Sequence, residues 1–187
     1  ALIVILAAIV IELTDDSANI AGLPPLSPQI TYDERVTIAD PVKLTRLFDE
    51  TGYRLASVRA GKTAVPRLMV RELPEGIEKL DDTDARKRLF IRTLLPLILR
   101  VNAHIADQRK TLLSLLDKQR AGTPLTRREA RWLSHIAALY RAMPDGTTDL
   151  QRRIAPVPPS LAIAQAAIET GWGTSRFAQD GNALFGQ

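Results

Sequence analysis

Residues 82–119 read DTDARKRLFIRTLLPLILRVNAHIADQRKTLLSLLDKQ, and this stretch decides the fold class. Leu89, Leu94, Leu95, Ile98, Leu99, Ile105, Leu112, Leu115 and Leu116 carry the helical period, so they gather on one side of a long helix. Pro96 lies inside the run. It has no N–H to donate and its ring crowds the preceding turn, which predicts a kink or a split. Arg86, Lys87, Arg88, Arg92 and Arg100 read as the solvated side.

Working outward, Asp40-Pro41 starts a helix, with Asp as N-cap and Pro at the first helical position. Val42, Leu44, Leu47 and Phe48 give it an apolar face, and Gly52 ends it. Tyr53–Arg59 alternates apolar and polar residues like a half-buried strand. Gly61-Lys62 turns, and Val65–Glu72 follows as a second strand that Pro66 confines to an edge, which together make a short β-hairpin. Beyond a turn at Gly122-Thr-Pro124, Thr126-Arg-Arg-Glu129 is a capping box. The helix it starts runs to about Arg141 and turns Trp132, Ile136, Leu139 and Tyr140 inward. The expected fold is mainly α.

The whole chain has 187 residues, 45% apolar and 25% charged, within the range of globular domains. Its formal charge is 25 − 21 = +4, which favours a polyanionic neighbourhood such as a cell wall or membrane surface and is too weak and interleaved for nucleic acid. It has no cysteine, which excludes disulfides, zinc ribbons, iron–sulfur sites and a thiol nucleophile. His104 and His135 stand on different helices with no second ligand at metal-binding spacing, so neither metal nor cofactor is expected. No nucleophile elbow or phosphate loop occurs.

The first eleven residues, ALIVILAAIVI, are apolar and closed by Glu12. As a helix they span roughly 16 Å, about half of a bilayer core. Residues 1–13 read as the remnant of a signal peptide or membrane anchor, against the alternative of a buried β-branched strand. Residues 14–39 read as a linker, with three prolines in Thr14–Pro28. Residues 40–150 form a helical N-terminal region, and chemistry begins after it.

Val157-Pro-Pro-Ser160 leads into LAIAQAAIETGWG. Ser160 is the expected N-cap of a helix that Gly171 stops. Leu161–Ile168 is apolar nearly all round except for Gln165, the pattern of a buried helix. Gln165 and Glu169 stand four apart and share a face. Glu169 occupies the last turn, where the helix dipole disfavours an anion, and Trp172, Phe177 and Phe185 are near enough in sequence to shield it. Both effects would raise a carboxyl pKa, as a general acid at neutral pH requires. The competing reading is a solvent-facing polar strip on an ordinary helix.

The run from Pro158 through Glu169-Thr-Gly-Trp172-Gly-Thr-Ser175, followed by Asn182-Ala-Leu-Phe-Gly-Gln187, resembles the bacterial endo-β-N-acetylglucosaminidases that hydrolyse peptidoglycan, in the lysozyme-like superfamily. The match is nearest the Bax-like branch, which also accounts for Gly52–Arg59, Val65-Pro-Arg67 and Arg86–Asn102. It covers roughly residues 40–187, with the specific motif confined to Pro158–Gln187. Ala183 stands where the family usually has a second Asn.

The resemblance implies a lysozyme-like α-lobe, with residues 151–187 as the start of a catalytic domain that is expected to be cut open after Gln187. On that expectation the 187-residue chain is inactive alone. Glu169 is then the catalytic acid, protonating the bridging oxygen of a β-1,4 bond after N-acetylglucosamine. A second acidic residue or a tyrosine would follow on a later lobe, or the substrate's acetamido oxygen would attack the anomeric carbon. Gln165, Trp172, Asn182, Phe185 and Gln187 are the implied substrate-binding residues, with a core role for Trp172 and Phe185 and a loop-tying role for Asn182 and Gln187 as alternatives. Peptidoglycan strands are the expected partner, the cell envelope the expected location (periplasmic or membrane-anchored), and the N-terminal apolar segment a route to membrane association. Two rivals remain: a lytic transglycosylase using the same Glu169, and a non-catalytic glycan-binding envelope adaptor.

Overall fold

The computed structural model describes residue 20 and residues 22–28, 35–142 and 147–181. Residues 1–13, read as a signal or anchor remnant, lie outside the described residues, as do Asn182, Phe185 and Gln187. The fold is mainly α. In chain order the elements are β1 (Arg35–Val36), α1 (Pro41–Glu50), α2 (Leu55–Arg59), β2 (Met69–Val70), a 3₁₀ turn (Ile77–Lys79), α3 (Thr83–Arg120), α4 (Arg127–Leu139), α5 (Thr147–Arg153), α6 (Pro159–Thr170) and α7 (Arg176–Gly181). They form two compact units, one of residues 1–29 and 101–157, the other of residues 30–100 and 158–187. These units interleave along the chain, whereas the division read from the sequence follows the motif.

In the first unit, α4 starts at the expected capping box. Glu129 N–H donates to Thr126 Oγ1 at 3.3 Å, and Thr126 N–H donates back to Glu129 Oε2 at 2.8 Å. Trp132, Ile136 and Tyr140 are buried, but Leu139 turns outward and is 43% exposed. Residues 23–26 of the expected linker are tied down. Trp132 Nε1–H donates to the Pro24 carbonyl at 2.8 Å, and the Gln108 amide donates to the carbonyls of Pro25 and Leu26 at 3.0 and 3.1 Å. Tyr140 O–H donates to Gln108 Oε1 at 2.9 Å, and burial pushes that hydroxyl's pKa up to about 12. Arg109 satisfies the carbonyls of Gln151 and Ile154 at the end of α5.

In the second unit, Asp40 caps α1 as expected, accepting from the N–H groups of Val42 and Lys43 at 2.8 and 3.0 Å. Those bonds, first that from Lys43, hold its carboxyl below the usual range. The hairpin is corrected. Tyr53–Arg59 is not a strand: Tyr53 is fully buried and Leu55–Arg59 is one helical turn closed by local bonds such as Ala60 N–H to the Ala56 carbonyl. Seven alternating residues fit a short helix as well as a strand when no partner strand lies beside them. The β structure is instead a parallel pair, Arg35 opposite Met69 and Val36 opposite Val70.

Helix α3 runs unbroken through Pro96, so the predicted split does not occur. Losing one backbone bond there is outweighed by apolar burial on both sides, with Phe90, Leu94, Ile98, Val101 and Ile105 each at most 4% exposed. By length and composition α3 is apolar enough to cross a membrane, but half of its apolar window is buried in the protein. Arg92 is a further correction. It is not solvated but buried, bonded to Asp49 Oδ1 at 2.8 Å and stacked over Phe48 and Tyr53 at 4.9 and 5.6 Å from the ring centres.

Candidate active site

Helix α6 begins at Pro159, with Pro158 in the cap position and no side-chain cap, so Ser160 lies within the first turn and not before it. Two prolines supply the start without a hydroxyl, because their φ is preset and they leave no N–H to satisfy. The all-round burial expected of this helix is also corrected. Ala162, Ala166, Ala167 and Thr170 are buried, while Leu161 is 51% and Ile168 83% exposed. The alanines form the inward stripe at four-residue spacing, since a small side chain lets the helix approach its neighbours closely. The larger residues face outward.

On that outward side Gln165 and Glu169 meet as their spacing required. Gln165 Nε2 donates to Glu169 Oε1 at 2.9 Å, and Glu169 is exposed. Of the residues expected to shield it, Trp172 packs its ring edge-on against Phe90, 5.8 Å between centres, with Lys87 Nζ 5.4 Å from its centre. The Phe177 side chain and Phe185 lie outside the described residues. Trp172 is half-buried, with one side of its ring against Phe90.

After Glu169 the backbone makes a tight corner. Gly171, Trp172 and Gly173 have φ of 57°, 62° and 82°, three successive left-handed residues. Trp172 has no glycine's freedom there, so its conformation stores strain of about 1–3 kcal/mol that neighbouring bonds must hold. Buried Thr170 does much of this holding. Its hydroxyl donates to the Ala166 carbonyl at 2.6 Å and accepts from Gly173 N–H at 2.9 Å. Ser175 N–H donates to the Thr170 carbonyl at 2.9 Å, and Gln179 Nε2 donates to the Gly173 carbonyl at 2.6 Å. Ser175 Oγ caps α7 by accepting from Ala178 N–H at 3.2 Å. Glycine is needed at position 173, because a Cβ would fall 3.1 Å from Leu73 and 3.2 Å from Phe90.

The motif residues therefore split into a corner-forming set, Thr170 to Ser175, and an outward polar pair, Gln165 and Glu169. Lys87, Phe90 and Leu73 were missed by sequence reasoning. Lys87 reads from the sequence as one of the solvated cations, and nothing local to α3 signals a tryptophan more than eighty residues later. Among the described residues, no three His, Cys, Asp or Glu side chains gather as a metal site.

The corner and the polar pair fall inside a recognised segment. A model of the family described as mannosyl-glycoprotein endo-beta-N-acetylglucosaminidase matches residues 148–187. Residues 148–187 are thus similar to glucosaminidase-family sequence. Over 120 residues it is also 37% identical to Protein bax of Escherichia coli (strain K12), an alignment covering 61% of this chain and 42% of that relative. The chain thus spans less than half the length of the curated relative it matches. No solved structure matches it. Lys87 and Phe90, which hold Trp172, lie outside the glucosaminidase segment but within the same compact unit.

Proposed function

We propose that this chain is part of a bacterial cell-envelope glycoside hydrolase that cleaves β-1,4 bonds after N-acetylglucosamine in peptidoglycan, with Glu169 as general acid. One observation carries the reading. Within the glucosaminidase segment Glu169 is exposed at the end of α6, tethered by Gln165 and followed by the braced corner at Gly171–Gly173. A general acid must come within about 2.6–3.2 Å of the bridging oxygen, so an accessible carboxyl on a rigid support is what the step needs. Protonating that oxygen lets the C1–O bond break with its electron pair leaving on the alcohol. Water then completes hydrolysis at the anomeric carbon.

Gln165 is a positioning residue in this scheme, since its amide already holds one Glu169 oxygen at 2.9 Å. Asn182, Phe185 and Gln187 remain proposed glycan contacts, and Trp172 contributes through the shape of the corner. The apolar residues 1–11 support export, with membrane association if they are retained. No cofactor enters the chemistry.

The test is digestion of purified peptidoglycan by the full-length protein, with the products reduced and weighed. Hydrolysis predicts a reducing N-acetylglucosamine end carrying one added water. Anhydro ends lacking that water would replace this reading with a lytic transglycosylase, and intact strands that still bind the protein would replace it with an adaptor.

A further inference from the structure

The compact unit that contains α6 also holds a groove of about 880 Å³ bordered by α1, α2 and the first turns of α3. Arg46, Arg54, Arg88 and Arg92 line it, against Asp49 and Glu50. Asp49 is engaged by Arg92 and Arg88 pairs with Asp82 at 3.4 Å, whereas Arg46 and Arg54 make no ion pair among the described residues. Arg92 is nine-tenths buried with its Nε unpartnered, so Asp49 alone among the described residues meets its charge through a hydrogen bond. Apart from Thr45 the rest of the lining is apolar, chiefly Val42, Leu55, Leu80 and Leu89.

Cations outside any ion pair beside an apolar lining recognise an anion attached to a small apolar body. A neutral sugar would leave the arginines unanswered, and a bulky polyanion would meet Asp49 and Glu50 as well. We propose that this groove binds a short peptide with free carboxylates and small apolar side chains, the kind carried on peptidoglycan strands. This rests on the peptidoglycan reading above and deepens it. Arg46 and Arg54 meet the carboxylates, while Val42, Leu55 and Leu80 cover the methyl groups. The helical region before the glucosaminidase segment then acts as a reader of the peptide.

The test is titration calorimetry on the full chain with the synthetic tripeptide alanyl-γ-D-glutamyl-alanine, against the same peptide with both carboxylates amidated. The free acid should bind and the amide should not. Arg46→Glu with Arg54→Glu should weaken binding about a hundredfold, roughly tenfold per lost charge-assisted contact. Both side chains are exposed, so unchanged circular dichroism and melting temperature should accompany that loss. Equal binding of the amide, or affinity unchanged by the double reversal, would overturn the proposal. So would absence of peptide binding alongside capture by phosphatidylglycerol vesicles that the double reversal abolishes, which would make the groove a membrane contact. Because binding is read without turnover, a silent peptide with an active full-length enzyme overturns the groove alone. A bound peptide with an inactive enzyme overturns the glycosidase reading alone.

Discussion

In the unit built from residues 101–157 and the strap at residues 22–28, the buried Gln108 amide bonds to the carbonyls of Pro25 and Leu26 and to the Tyr140 hydroxyl. In the other unit, Tyr53 Oη and Arg92 Nε are buried without a hydrogen-bond partner among the described residues, whereas left-handed non-glycine backbone occurs in both units, at Arg141 in the first and Trp172 in the second. A satisfied network fixes one arrangement of its surroundings, because every alternative leaves a polar group dry. Unmet buried donors cost stability, and each calls for an explanation such as a group held ready for a ligand. The unmet donors lie in the unit that also carries the outward Glu169, the braced corner and the arginine-lined groove.

The largest expected effect tests the satisfied side. Gln108→Ala strips partners from two carbonyls and a hydroxyl around a residue only 1% exposed, and should destabilise by about 3 kcal/mol in chemical denaturation. A loss under about 1 kcal/mol would mean that the network adds little. On the strained side Gly173→Ala should cost about 2 kcal/mol, since it combines φ of 82° with contacts at 3.1 and 3.2 Å. Gly122→Ala shares a left-handed φ of 72° but meets open space, so it should cost less, about 1 kcal/mol. Equal losses would remove the role given to Leu73 and Phe90.

Tyr53→Phe sharpens the comparison from the other direction. Deleting a buried hydroxyl that has no hydrogen-bond partner among the described residues should change stability by less than about 1 kcal/mol, and in the stabilising direction. A loss comparable to Gln108→Ala would show that the hydroxyl is satisfied and that the units do not differ as described. The smallest effect is one of pH. The bond from Lys118, then that from Thr126 N–H, holds the half-buried Glu129 carboxyl below its ordinary 4.5. A carboxyl depressed in the folded state contributes stability above its unfolded pKa and loses it as pH falls through the folded value. The melting-temperature advantage of wild type over Glu129→Gln should therefore be full near neutrality and shrink below about pH 4.5. An advantage independent of pH would contradict this.

Local chemistry was the legible part of the fold. Asp40, the Thr126–Glu129 box and the left-handed Gly171 each act within a few residues, so sequence spacing contains the whole interaction. Tyr53–Arg59 and Arg92 were not legible. Their states depend on Tyr53 entering the core and on Asp49, 43 residues from Arg92 in sequence. At the candidate site the Gln165–Glu169 pair was readable because i and i+4 adjacency is a property of any helix. Which side of α6 faces inward was not, because LAIAQAAI is apolar on every side and alanine packing decides the rotation. The partners of Trp172 come from α3 and are invisible to any local pattern.

The central claim is that Glu169 donates the proton, and Glu169→Gln in the full-length protein tests it most directly. Glutamine keeps the shape and can still pair with Gln165, but it has no acidic proton to transfer. The account predicts that peptidoglycan turnover falls by about 10²–10⁴-fold while strand binding survives. Gln165→Ala, which only loosens the acid's tether, should cost less. Turnover by Glu169→Gln at the wild-type rate would contradict the assignment.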